Sequence, residues 1–144
     1  MRRRGCFVVL EGLDGAGTTT QAKLLAASLR RRGHRVVLTR EPSDGPVGLL
    51  LRRALSGPPK PRRRGLSEAV LALLFAADRL DHLASTVEPG LSSGAVVVSD
   101  RYVLSSFAYQ GRVLSPAWVE ALNAEAPPPD LTLFLSVRPR VAAR

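Results

Sequence analysis

Apolar residues collect in four short, near-continuous runs: "CFVVLEG" at 6–12, "RVVLTR" at 35–40, "AVVVSD" at 95–100 and "LTLFLSV" at 131–137. Runs this short, rich in valine and leucine and lacking polar alternation, predict strands of a parallel sheet covered on both faces. Between them the apolar positions shift to helical spacing. Residues 18–32, "TTTQAKLLAASLRRR", predict a helix that stops at Gly33, with arginines in its last turn. Residues 67–86 open on Ser67, an N-cap residue type, and place Leu71, Leu74, Phe75 and Leu83 at helical spacing. Residues 116–125 begin "SPAW", a serine cap with proline at the first helical position. Strands alternating with helices predict an α/β fold with right-handed crossovers, expected as a single domain over 1–144. The segment "SGPPKPRRRG" (56–65) is expected to be an exposed loop, and "APPPD" (126–130) a rigid turn into the last strand.

Composition narrows the partners. Apolar residues make up 45% of 144 positions, enough for a folded core. The net charge of +9 raises nucleic-acid binding as a possibility. The arginine runs at 2–4, 30–32 and 62–64 have almost no aromatic residues beside them, as a stacking groove would require. Solvated loops and helix ends account for them better, and no nucleic-acid partner is expected. A lone cysteine, Cys6, excludes an internal disulfide and suits a reducing cytoplasm. Its place at the head of a predicted strand makes it small core filler. The apolar run after "MRRRG" is too short for a signal peptide, and no stretch approaches a membrane span. A soluble cytoplasmic protein with no membrane partner is the expectation.

The first strand runs into "LEGLDGAGTTTQ", which has the glycine register of a phosphate-binding loop, G-x-x-x-x-G-K-[ST], with Gly12, Gly17 and Thr19 in place. Such glycines turn backbone N–H groups inward, and the helix start adds its positive end. An ordinary strand-to-helix turn would also accommodate them. Thr18 stands where the pattern has lysine. A hydrogen bond to a charged group is worth roughly 1.5–3 kcal/mol, of which a threonine hydroxyl replaces only part. Lys23, five residues on, points along the helix at a different azimuth and is no simple substitute.

Three further clusters follow. "LTREPSDG" puts Arg40 and Glu41 at the exit of the second strand; "LLFAADRLDH" puts Phe75 and Arg79 on one helix face; "SDRYVLSSFAYQG" puts Asp100 and Arg101 at the end of the third strand. In open α/β sheets ligands gather at those carboxyl ends. A phenyl ring can stack on a base, and a nearby arginine can read its edge or fork onto a phosphate. Taken singly, Phe75 could be core, Arg79 a surface charge and Asp100–Arg101 a structural ion pair.

Together, in this order, "FVVLEGLDGAGTTTQ", "TREP", "LLFAADR", "SDRYVLSSFAYQG" and "DLTLFLSV" make the chain resemble the thymidylate kinases over essentially its whole length. The resemblance implies a P-loop NTPase fold of the nucleoside monophosphate kinase kind, α/β with helices flanking a parallel sheet. It implies transfer of the γ-phosphoryl of ATP to dTMP, with Mg2+, by a homodimer. Gly12, Leu13, Asp14, Gly15, Ala16, Gly17, Thr18 and Thr19 would hold the ATP phosphates. Asp14 would meet the deoxyribose hydroxyl or orient an arginine. Arg40 and Arg101 would bind the dTMP phosphate and, with Asp14, serve catalysis. Thr19, Glu41 and Asp100 would serve the magnesium and its waters. Phe75 would stack on thymine and Arg79 would hydrogen-bond its edge, while Arg52, Ser105, Ser106, Tyr109 and Gln110 complete the pocket. The family's pattern continues into another strand and an arginine-bearing lid, so a shortened chain is expected here. Gly15 follows the loop's acid, which implies bacterial-type members whose catalytic arginines lie in that lid. Two rivals remain: a nucleotide-binding relative that does not turn over, and a kinase with another acceptor.

Overall fold

The computed structural model describes residues 4–56 and 66–138. The arginine run at 62–64 and most of the loop expected at 56–65 lie outside the described residues. Strands β1 (Cys6–Gly12), β2 (Val36–Arg40), β3 (Val96–Asp100) and β4 (Leu131–Leu135) form one sheet in the order β2-β3-β1-β4. Every pairing is parallel. Asp100 lies opposite both Leu10 and Arg40, so β1, β2 and β3 deliver the residues after them to one edge. The chain passes to one side of β1 for β2 and β3, then to the other for β4. That reversal opens a crevice at the carboxyl end of β1.

Helices α1 (Thr18–Arg31), α2 (Pro46–Leu55), α3 (Glu68–His82), α4 (Glu88–Ser92), α5 (Val103–Tyr109) and α6 (Pro116–Leu122) flank the sheet. Gly33 ends α1 as expected, at φ 85°, where its N–H reaches the Arg30 carbonyl at 3.0 Å. Ser67 caps α3 by accepting the Val70 N–H at 3.3 Å. Side chains of β1 alternate between two cores. Phe7 and Val9 pack with Leu83, Val87, Leu91, Val97 and Tyr102, while Val8 and Leu10 pack with Ala22 and Val98. Each such burial contributes roughly 1.5–3 kcal/mol.

Several expectations need correction. The helix foreseen over 67–86 breaks at His82 into a π-helical turn, Leu83–Val87, before α4. Pro89 offers no N–H to the Ser85 carbonyl and its ring would clash there, so the wider turn accommodates it. Two-sided cover holds for β1 and β3 but not for β4, whose Leu131 and Phe134 are exposed on a strand that among the described residues pairs only with β1. Cys6 is exposed, so it is not core filler. Helices α2, α4 and α5 were not foreseen.

Candidate active site

After β1 the chain passes through the left-handed region at Gly15 (φ 78°) and Gly17 (φ 89°). Gly12 lies so close to β4 that a Cβ there would stand 3.0 Å from the Leu135 carbonyl oxygen. Helix α1 starts at Thr18 with no side chain capping its first N–H groups, which leaves them for an oxyanion. Thr18 is buried at that start. The Thr19 hydroxyl donates to Asp100 Oδ2, and the buried Asp100 Oδ1 has no hydrogen-bond partner among the described residues.

Arg101 is a non-glycine residue at φ 81°. Its N–H donates to the Leu10 carbonyl at 2.9 Å, and its own carbonyl accepts from Ser99 Oγ at 2.9 Å. Those two bonds hold a conformation that costs of order 1–3 kcal/mol. The result sends the guanidinium back over the loop, where Nη1 donates to the Gly12 carbonyl and Nη2 to Asp14 at 2.8 Å. One residue on, Glu11 ties the end of β1 to the start of α5. It accepts from the Tyr102 N–H at 2.9 Å, the Ser105 N–H at 3.3 Å and the Ser105 hydroxyl at 2.8 Å. Burial pushes the Glu11 carboxyl above its ordinary value, against those hydrogen bonds.

Arg79 and Glu41 form a buried pair: Nε and Nη2 donate to Glu41 Oε2 at 2.9 and 2.7 Å. The other Glu41 oxygen lies 3.3 Å from His82 Nδ1, and His82 Nε2 is 2.6 Å from the Thr39 hydroxyl. Arg79 Nη1 reaches Ser106 Oγ at 3.1 Å and Asn123 Oδ1, and its guanidinium lies 5.2 Å from the centre of the Tyr102 ring. The turn between β2 and α2 is fixed by Asp78, which accepts from the Ser43 N–H at 2.8 Å and its hydroxyl at 2.5 Å. Asp44 in that turn takes Arg40 at 3.0 Å and Arg52 at 2.8 Å on one oxygen. The hydrogen bond from Arg40 holds the Asp44 carboxyl below its usual value.

Two cavities meet here. The larger, about 670 Å3, is lined by Phe75, Leu71, Arg79, Ser105, Ser106, Tyr109 and Gln110. The smaller, about 430 Å3, is lined by Gly15, Gly17, Thr18, Thr19, Arg40, Arg52 and Asp100. Asp14, Glu41, Pro42 and Arg101 line both. Gln110 is buried, and its Oε1 has no partner among the described residues. A phosphate loop thus faces one cavity, and a half-buried phenyl ring with an unpaired amide oxygen faces the other.

The family model for thymidylate kinase matches residues 10–144. The chain belongs to the thymidylate kinase family. It is 49% identical over 135 residues to a probable thymidylate kinase of Thermococcus kodakarensis, covering 91% of this chain and 66% of that protein. A probable thymidylate kinase of Pyrococcus horikoshii is 47% identical over 135 residues, covering 93% and 66%. A thymidylate kinase of Clavibacter sepedonicus is 44% identical over 138 residues, covering 92% and 64%. The chain therefore spans just under two thirds of the length of these relatives. The crystal structure of thymidylate kinase from Ehrlichia chaffeensis superposes with a TM-score of 0.81 at 32% identity, covering 92% of this chain and 72% of that one.

Several of the expected site residues have partners within the chain. Glu41, expected beside magnesium, has both oxygens turned to Arg79 and His82. Arg79, expected on the edge of a base, is buried and directs three nitrogens to Glu41, Ser106 and Asn123. Arg52, expected in the nucleotide pocket, lines the smaller cavity together with Arg40. Glu11, Asp44, Asp78, His82 and Asn123 carried no sequence signal of their own.

Proposed function

We propose that the protein transfers the γ-phosphoryl group of ATP to dTMP, giving dTDP. The observation that carries the reading is the shared wall of Asp14, Glu41, Pro42 and Arg101 between the two cavities. A donor on the phosphate loop and an acceptor beside Phe75 would meet there, with Arg101 between them. Positioning and charge neutralisation then supply most of the rate, and the acceptor's phosphate oxygen attacks in line.

The chain's residues have distinct parts in this scheme. Backbone N–H groups from Gly12 to Thr19 cradle the ATP phosphates. Arg40 and Arg101 take the acceptor phosphate, and Phe75 stacks on its base. A buried acceptor without a partner costs about 1–3 kcal/mol, which the N3–H of thymine relieves at Gln110 Oε1 and the unprotonated N3 of cytosine does not. Ser105, Ser106 and Tyr109 close the pocket, and Asp14 orients Arg101. Among the described residues no three His, Cys, Asp or Glu side chains cluster to hold a metal alone. Magnesium fits all the same, because it takes one or two protein oxygens and completes its shell with water and phosphates. Thr19 and the orphaned Asp100 Oδ1 are that donor set; Mg2+ bound there would neutralise phosphate charge.

A homodimer is part of the proposal. It is supported by Val70, Leu73, Ala77 and Leu80, all exposed at i, i+3, i+7 and i+10 of α3. A cytoplasmic location is likewise part of the proposal; among the described residues no helix is long and apolar enough to cross a membrane. A second reading, nucleotide binding without turnover, is favoured by Thr18 alone. Competition among dTMP, dUMP, dCMP and dGMP for phosphate from labelled ATP tests the acceptor. dTMP should win, with dCMP and dGMP far behind; a preference for dCMP or dGMP would sink the assignment.

A further inference from the structure

The carboxylate of Asp44 has no part in the scheme above, yet two arginines converge on it. Its side chain is 77% exposed, and Arg40 Nη2 and Arg52 Nη2 both donate to its Oδ1, at 3.0 and 2.8 Å. Arg52 commits its second arm too, Nη1 donating to the Pro42 carbonyl at 2.6 Å. Arg40 commits only Nη2 among the described residues, which leaves its Nε–H and Nη1 donors uncommitted.

The frame around this clamp is rigid. Ser43 is bonded to Asp78 through its N–H and its hydroxyl, the Gly45 N–H reaches Ser43 Oγ at 3.0 Å, and the Glu41 N–H reaches the Asp100 carbonyl at 3.0 Å. Helix α2 comes so near that a Cβ at Gly48 would stand 2.1 Å from the Ser43 carbonyl oxygen and 2.7 Å from Asp78 Oδ1. Arg52 lies one turn beyond Gly48, hence on the same face, which is why it reaches the turn. Without Asp44 the two guanidinium groups would repel each other, and Arg40 would be free to swing into solvent.

We propose that Asp44 is a positioning residue for the acceptor's phosphate monoester, holding Arg40 at the phosphate cavity with its Nε and Nη1 donors unspent. The proposal rests on the reading of Arg40 as a phosphate ligand. Two effects of Asp44 oppose each other. Its charge repels the phosphate, but Asp44 is largely exposed, and the high dielectric of surrounding water keeps that repulsion small. Placement of charge-assisted donors acts at contact and is the larger effect.

The test is calorimetric titration of dTMP and of thymidine, which lacks the phosphate, into the full chain and its D44A, D44N and D44E variants. Placement of one charged hydrogen bond predicts about a tenfold loss of dTMP affinity in D44A and about threefold in D44N. D44E should retain most of the affinity, and thymidine binding should stay within about twofold throughout. A general loss of shape would weaken both ligands together, and that result overturns the proposal. So does D44A or, where D44A fails to fold, D44N binding dTMP as well as the unsubstituted chain or better. If the unsubstituted chain itself does not distinguish dTMP from thymidine, the reading of Arg40 as a phosphate ligand fails first.

Discussion

Replacing Arg79 by methionine keeps much of its volume and removes its charge. Arg79 is only 2% exposed and gives Glu41 bonds of 2.9 and 2.7 Å, so the change strands a buried carboxylate. Glu41 keeps only His82 at 3.3 Å, and the Ser106 and Asn123 oxygens lose a donor. Removing one partner of a buried pair costs about 3–5 kcal/mol, against total stabilities of about 5–15 kcal/mol for domains of this kind. R79M should therefore lower the urea midpoint sharply in equilibrium unfolding followed by circular dichroism, with an unchanged slope. Adding E41Q removes the stranded charge, so the double variant should recover about 2 kcal/mol relative to R79M. Either a loss below about 1 kcal/mol in R79M or strict additivity in the double variant would refute the reasoning.

Restoring the lysine by T18K should raise the phosphoryl-transfer rate by at least tenfold, the kinetic equivalent of about 1.5 kcal/mol, in a quench-flow assay; an unchanged rate would show that the loop needs no cation there. G48A should push α2 off the turn and cost about 1–3 kcal/mol in urea unfolding, with weaker dTMP binding, whereas an unperturbed variant would contradict the close approach. The chain has two tyrosines, and burial holds both phenols above the ordinary value of 10.0, Tyr109 at about 12 with Asp14 beside it. The fold keeps protons that the unfolded chain releases near pH 10, so their stability contribution is lost from there upward. Phenolate absorbance should be nearly absent from the folded protein at pH 10.5, and full ionisation there would refute it.

Local chemistry made much of the fold legible. Valine-rich runs give the four strands to within about two residues, and Gly33 and Ser67 cap helices as their types suggest. Failures came where local signals conflict with packing. α2 carries Gly45, Pro46 and Gly48, which read as a turn, yet Gly48 is what lets that helix approach Ser43. α5, "VLSSFAY", has poor helix formers, but Glu11 satisfies the amides at its start from 91 and 94 residues away. In the site, glycine register located the tight turn between β1 and α1 because its spacing is local. Two partnerships that organise the site escaped notice because each joins different elements: Glu41 with Arg79, and Asp78 with Ser43. Sequence order shows which charges exist, and only the parallel register shows which ones meet.

On the proposed function, an ATP γ-phosphoryl group passes to dTMP across the wall formed by Asp14 and Arg101. Single-turnover mixing of excess protein with γ-labelled ATP, magnesium and dTMP tests it directly. Label appearing in dTDP, with the R101A variant slower by about a hundredfold or more, is the predicted result. Label that stays in ATP, or passes only to water, while dTMP is bound would contradict it.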